Sequence, residues 1–183
     1  VFEFLPVTAG RSADLERFSQ RHGTFRYCSC MRWRLTSAEF RASTKESRAE
    51  GLAALVRAGA PVGVLAHDDG EPVGWCSIAP RTGYPALERS RVLARVDDAV
   101  VWSVVCFFVD SAVRRRGLSL GLLRAAVGYA AEAGAGIVEG YPVEPGPRSY
   151  TWMGSPATFL AAGFQDVTPP GRRRTVMRCT VRR

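Results

Sequence analysis

Three consecutive arginines followed by a glycine, Arg114-Arg115-Arg116-Gly117, stand between a run of β-branched and aromatic residues and a run with helical spacing. A strand that turns into a helix presents the helix's first backbone N–H groups, which have no partner within it and carry the positive end of its dipole. Arginines at such a turn add charge and forked donors, and a glycine lets a ligand come close to the backbone. The combination suits the binding of a phosphate or pyrophosphate. A second chemically active candidate is Glu139, a carboxylate within the apolar stretch 137–141, where it needs a partner or a purpose. It reads either as a general base, acting directly or through water, or as one half of a salt bridge to one of the many arginines. Cys28-Ser29-Cys30 with His22 nearby has the look of metal chemistry. A zinc site, however, takes about four ligands, and no second Cys or His pair stands at suitable spacing.

The elements that must position these groups can be read from periodicity. Residues 100–109 form a strand buried on both faces, and Leu118, Leu122, Ala125, Ala126 and Ala130 place one apolar face on a helix over about 117–132. Upstream, residues 61–67 and 72–79 read as two strands joined by Asp68-Asp69-Gly70-Glu71, a hairpin signal. A first strand surrounds Leu5, a helix starts at Ser12, and a second helix runs from Ser43 or Thr44 to Ala58. The block 25–34 has no clean period. It is either a covering loop or a wall of aromatic faces and forked arginine donors for a planar or anionic group. Residues 80–98 are long for a connection, which points to a short helix around 86–92 or a functional loop. A strand follows at 136–141, then a short helix opened by Ser155 and Pro156, then strands at 164–167 and 175–181.

At 183 residues the chain suffices for one sizeable core, so one domain over 1–183 is the expectation. No apolar stretch approaches the roughly 20 residues that cross a bilayer. Five scattered cysteines form no disulfide framework, which favours a reducing cytoplasm. The net charge of +8 attracts anions in general, RNA among them. Nearly all of that charge is arginine, Lys45 being the only lysine.

At Arg114-Arg115-Arg116-Gly117-Leu118-Ser119 the sequence resembles the GNAT superfamily of acyl-coenzyme A N-acyltransferases. The pyrophosphate loop of that superfamily reads Gln/Arg-x-x-Gly-x-Gly/Ala at the end of the fourth strand. Arg114 and Gly117 match, and Ser119 stands where glycine or alanine is usual. The block 157–164 is similar to the superfamily's helix that ends in Gly-Phe. The resemblance implies an α/β fold, a GNAT-like three-layer domain whose mixed, mostly antiparallel central sheet is flanked by helices. It also implies direct transfer of an acetyl group from acetyl-CoA to a primary amine of a small molecule, with no metal. Backbone groups from Arg114, Arg115, Arg116, Gly117, Leu118 and Ser119 would hold pyrophosphate. The strand residues Cys106, Phe107, Phe108 and Val109 would hold pantetheine, with Phe159 beside the cofactor. Phe159 occupies the position where the family often has a tyrosine general acid, which leaves Tyr150, Ser155, Tyr141 or solvent for that role. Tyr27, Cys30, Trp33, Tyr84 and Trp152 are the expected acceptor-side residues. The chain would be a monomer or homodimer. Two other expectations stay open: an aminoacyl-tRNA donor, suited by the basic charge, and a degenerate coenzyme A-binding module.

Overall fold

In the computed structural model, which describes residues 1–146 and 151–181, the two periodicities of the sequence sort into one sheet and two helical layers. The elements in order are β1 (Glu3–Pro6), α1 (Ser12–Arg21), α2 (Gly23–Cys28), α3 (Ser37–Ala42), α4 (Lys45–Arg57), β2 (Gly63–Asp68), β3 (Glu71–Pro80), α5 (Pro85–Glu88), β4 (Trp102–Val109), α6 (Leu118–Glu132), β5 (Ile137–Gly140), α7 (Pro156–Ala161), β6 (Gln165–Asp166) and β7 (Met177–Thr180). The seven strands lie in the order β1-β2-β3-β4-β5-β7-β6. Only β4 and β5 run parallel, joined by the α6 crossover, and every other pair is antiparallel. This is the three-layer, mixed-sheet architecture expected from the sequence.

Alternation along the strands divides the core. Val64 and Ala66 of β2 point with Cys76 and Ile78 of β3 toward Leu118, Leu122, Ala126 and Ala130 of α6. Leu65 and Trp75 point the other way, onto Leu15 and Phe18 of α1, Phe25 of α2 and Leu52 and Val56 of α4. A third cluster, with Tyr84, Leu87, Leu93, Val105, Tyr141 and Val176, lies under the connection 81–101. Thr36 and Thr44 close capping boxes at the starts of α3 and α4. Of the block 25–34, residues 25–28 complete α2, a helix too short to show a period, and residues 29–34 form turns that cover the core. Ser29 (φ 45°) and Cys30 (φ 50°) then reverse the chain in the left-handed region.

The feature that prepares a site is in β4. Opposite it, Ser77 of β3 pairs with Cys106 and the next residue, Ile78, pairs with Val104, so Val105 is an extra residue without a β3 partner. Such a bulge bends its strand and turns two consecutive side chains to one face. Here Val105 and Cys106 share the face opposite α6, while Val104 and Phe107 face α6. The pairing of β4 with β5 ends at the same place, at Val104 opposite Gly140.

Gly140 ends β5 because nothing larger fits: a methyl group there would overlap the ring of Phe159, which is fully buried and stacked edge-on against Phe107 and Phe164. A Gly140→Ala variant is expected to lose about 1–3 kcal/mol through overpacking. For a chain of this size that is a fall of roughly 2–4 °C in Tm per kcal/mol, read by thermal unfolding. An unchanged Tm would show that Phe159 moves aside without cost.

Candidate functional site

The turn between β4 and α6 keeps its donors unspent. Gly117 caps α6 with φ 76°, a left-handed conformation that L side chains rarely take, and no side chain caps the helix. Arg115, at φ 62°, is a second left-handed residue two positions earlier. Among the described residues, the backbone N–H groups of Arg115, Arg116, Gly117, Leu118 and Ser119 donate to no backbone acceptor, and the ladder of α6 begins only with Leu120 bonding to Gly117. Consecutive N–H groups curled in this way form an anion-binding concavity, here at the positive end of a 15-residue helix. The space above Gly117 is open, with nothing within 4 Å of where a Cβ would stand. The three arginine side chains do not act alike. Arg116 pairs with Asp68 at 2.7 Å and lies over Phe2, whereas Arg114 and Arg115 make no ion pair among the described residues.

Leading up to this turn, residues 106–109 of β4 pair with β3 on one side, and from Val105 onward no strand lies on the other. Their unpaired backbone edge can hydrogen-bond an extended amide-bearing chain in the manner of an added strand. Cys106, Phe108 and Val109 are half-buried, while Phe107 turns its side chain into the α6 core. His22 flanks Phe108, their ring centroids 4.9 Å apart, with its Nε2 3.7 Å from Asp110. Burial lowers the pKa of this imidazole against the pull of Asp110, which keeps it neutral at pH 7.

Glu139 is brought to the foot of the same gap, but its carboxylate is fully engaged. It is 1% exposed; Arg81 donates to one oxygen at 2.9 Å and Arg178 to the other at 2.7 Å, and the Tyr141 hydroxyl donates at 2.6 Å. Arg81 continues the network to Glu88 and to the carbonyls of Leu87 and Leu93, and Arg178 continues it to Asp97. Burial and the neighbouring Glu139 charge raise the Tyr141 phenol well above its ordinary value, so it stays a donor. Of the two readings of Glu139, this geometry carries the salt bridge.

The other expected residues lie in varied settings. Phe159 of α7, expected beside the cofactor, is fully buried in the core shared with α6, where it packs against Phe107 and Phe164. Ser155 accepts a hydrogen bond from the Thr158 N–H as the cap of α7, so its hydroxyl is committed to the helix. Leu118 buries its side chain and has only its N–H to offer. Cys30 is buried; its Sγ accepts from the Trp75 indole at 2.9 Å, and burial raises its thiol well above the usual range. Tyr84 is fully buried, bonded to Ser77 and Arg34, and its phenol is pushed up to about 12 by burial. Tyr27 is exposed, with the Arg48 guanidinium over its ring. Trp152 is exposed beside Met153, and Tyr150 lies outside the described residues.

Of the expected acceptor residues, Trp33 lines a cleft. That cleft, about 530 Å³, is bounded by Arg32, Trp33, Ala86, Arg89, Val92, Leu93 and Arg174, with Thr36, Ser37 and Ser90. Trp33 and Leu93 belong to the same apolar cluster as Val105, Cys106 and Tyr141, which ties the cleft to the bulged part of β4. Arg89 comes from the 80–98 connection read as a short helix or a functional loop, and Arg174 from the basic run before β7.

The family model described as "Acetyltransferase (GNAT) family" matches residues 27–145. Among solved structures, the polyamine N-acetyltransferase of Drosophila melanogaster is similar with a TM-score of 0.62 at 14% identity, covering 99% of this chain and 100% of that one. A phosphinothricin acetyltransferase from Sinorhizobium meliloti, in complex with AcCoA, gives 0.55 at 17% identity over 98% of this chain and 88% of that one. The putative acetyltransferase YncA from Salmonella typhimurium, solved with acetyl-CoA, gives 0.54 at 16% over 99% and 94%. No curated protein matches the chain in sequence.

Proposed function

The chain belongs to the acetyltransferase (GNAT) family, and we propose that it moves an acetyl group from acetyl-CoA to a primary amine of a small molecule by direct transfer. The observation that carries this reading is the coincidence of two unspent hydrogen-bonding surfaces: five consecutive N–H groups at the start of α6 and the unpaired edge of β4 that leads into them. Together they fit a ligand that is an anion at one end and an amide-bearing chain at the other, as coenzyme A is. Relatives of this fold have been solved with acetyl-CoA, which supports the same donor.

In this reading the N–H groups of residues 115–119 and the Arg114 and Arg115 guanidinium groups hold the pyrophosphate. The β4 edge beside Val105 and Cys106 holds the pantetheine and directs an N–H at the thioester carbonyl oxygen, where negative charge develops. The acceptor nitrogen bonds to the acyl carbon as the carbon–sulfur bond breaks. The proton lost by nitrogen passes to solvent, and the departing thiolate leaves as the thiol. With Glu139 taken by two arginines, the amine must arrive deprotonated or give its proton to water, so the rate is expected to climb with pH toward the amine's own pKa.

Isothermal titration with acetyl-CoA tests the donor. Binding in the micromolar range that weakens as salt rises is the expected result. Absence of heat at low salt overturns it and moves the titration to longer acyl donors and aminoacyl-tRNA.

A further inference from the structure

We propose that Cys30 and Cys106 form an oxidation site at the donor groove: peroxide joins the two thiols in a disulfide, and that disulfide and bound acetyl-CoA exclude one another. The second half rests on the reading above, which lays the donor along β4 beside Cys106; the first half stands on the thiols alone. Nothing in the spacing of the cysteines pairs these two. The fold does, because the bulge at Val105 turns Cys106 to the face opposite α6, where it packs on the apolar cluster that holds Cys30. There the two thiols are close enough to interact directly. Cys76 lies on the other side of the sheet, in the α6 core, and Cys179 lies in β7.

The two thiols differ in the way such a site requires. Cys106 is half-buried and belongs to the strand edge that no neighbour covers, so a small oxidant reaches it, whereas Cys30 is 4% exposed. The Cys106 Sγ makes a long contact of 3.8 Å with the Phe107 carbonyl, too weak to tie it down. Ser29 and Cys30, both in the left-handed region, turn the Cys30 thiol inward. Burial keeps that thiol protonated at rest, yet its surroundings favour a sulfur that becomes negative as it reacts. The Trp75 indole donates to it at 2.9 Å, and the guanidinium of Arg34, itself 9% exposed, acts on the same sulfur. The Arg34 Nε–H is buried without an acceptor.

The chemistry balances with peroxide as the oxidant. Peroxide converts the Cys106 thiol to a sulfenic acid and leaves as water. Cys30 then attacks the Cys106 sulfur, the sulfur–oxygen bond breaks, and the departing hydroxide takes the Cys30 proton as a second water. A disulfide holds its two Cβ atoms about 3.5–4.5 Å apart, so closing it draws Cys106 toward the turn after α2 and away from the open edge of β4. A pantetheine chain lying on that edge covers Cys106 in turn. Exclusion between two such states is reciprocal.

The test treats the reduced full chain with a few equivalents of hydrogen peroxide, blocks the remaining thiols with iodoacetamide and maps the peptides by mass spectrometry. A Cys30–Cys106 bridge is expected as the main product, formed at least about tenfold more slowly at saturating acetyl-CoA; the bridged protein should bind acetyl-CoA about tenfold more weakly until dithiothreitol restores it. In Cys30→Ser, whose Oγ can still accept from Trp75, dimedone should trap a Cys106 sulfenic acid that the parent does not accumulate. Should that variant not fold, the parent's map decides. Thiols that stay reduced, a Cys28–Cys30 bridge, or Cys106 carried on to sulfinic acid without a bridge would overturn the inference. So would equal rates of bridging with and without acetyl-CoA in a protein that the titration shows to bind it. A protein that does not bind acetyl-CoA in the titration fails at the donor step instead, and the peptide map of the parent still decides the thiol pair.

Discussion

Replacing Glu139 by glutamine is expected to lower the unfolding free energy by about 3–5 kcal/mol, out of the roughly 5–15 kcal/mol that holds a domain together. The carboxylate faces two guanidinium groups at 2.7 and 2.9 Å and is 1% exposed, with Arg81 itself 2% exposed. Arg81 cannot turn to water when the charge is lost, and an amide NH2 set against its guanidinium repels it. Urea unfolding of the purified variant measures the loss. The experiment separates the two readings of this residue. A general base would give an enzyme of nearly normal stability with kcat reduced about 10²–10⁴-fold. The ion-pair reading gives a destabilised protein whose folded fraction keeps most of its kcat. Arg81→Met should be similarly costly, and the double variant should lose less than the sum of the two by about 0.5–3 kcal/mol, because each single change strands the other's partner.

The same network sets the response to acid. Although partial burial works the other way, the Arg95 and Arg81 guanidinium groups hold the Glu88 carboxyl below its usual range. A carboxylate depressed in the folded state contributes stability that is present above its unfolded value, about pH 4.3, and lost as pH falls through the lower folded value. Acid unfolding should therefore set in below that point.

How much of this was legible in the sequence follows from how far apart the interacting residues lie. The β2–β3 hairpin, the α4 cap at Thr44 and the strand–arginine–helix junction are fixed by residues within a few positions of one another, and each was readable. The bulge at Val105 is not a property of β4 alone, since it exists only against the register of β3, so the opening of the sheet could be expected only from the family resemblance. The partners of Glu139 are 58 and 39 positions away in the chain. Its isolation in an apolar stretch announced that it needed a partner without saying which. The arginines that line the cleft, Arg32, Arg89 and Arg174, come from three distant segments, and the sequence does not show that they meet. Their gathering at one cleft became visible only with the fold.

Gly117→Glu is expected to weaken acetyl-CoA binding about 100-fold or more while leaving the fold in place. The volume above Gly117 is open, so a side chain meets no protein atom, and the cost to stability is that of holding an L residue at φ 76°, about 1–2 kcal/mol. The cost to binding is larger. The carboxylate would stand among the five N–H groups that have no backbone acceptor, compete for them, and oppose the pyrophosphate charge. A 100-fold loss corresponds to about 2.8 kcal/mol, within the range for charge-assisted hydrogen bonds that are lost and replaced by repulsion. Gly117→Ala separates the two contributions, since it carries the backbone strain without the charge and should cost binding tenfold at most. Arg114→Ala, which removes a guanidinium but no N–H, should also lie between the parent and Gly117→Glu. Titration at low salt reads all three. If Gly117→Glu bound acetyl-CoA as the parent does, the turn into α6 would not be where the donor's phosphates rest. The +8 charge of the chain would then have to be explained by some other anion.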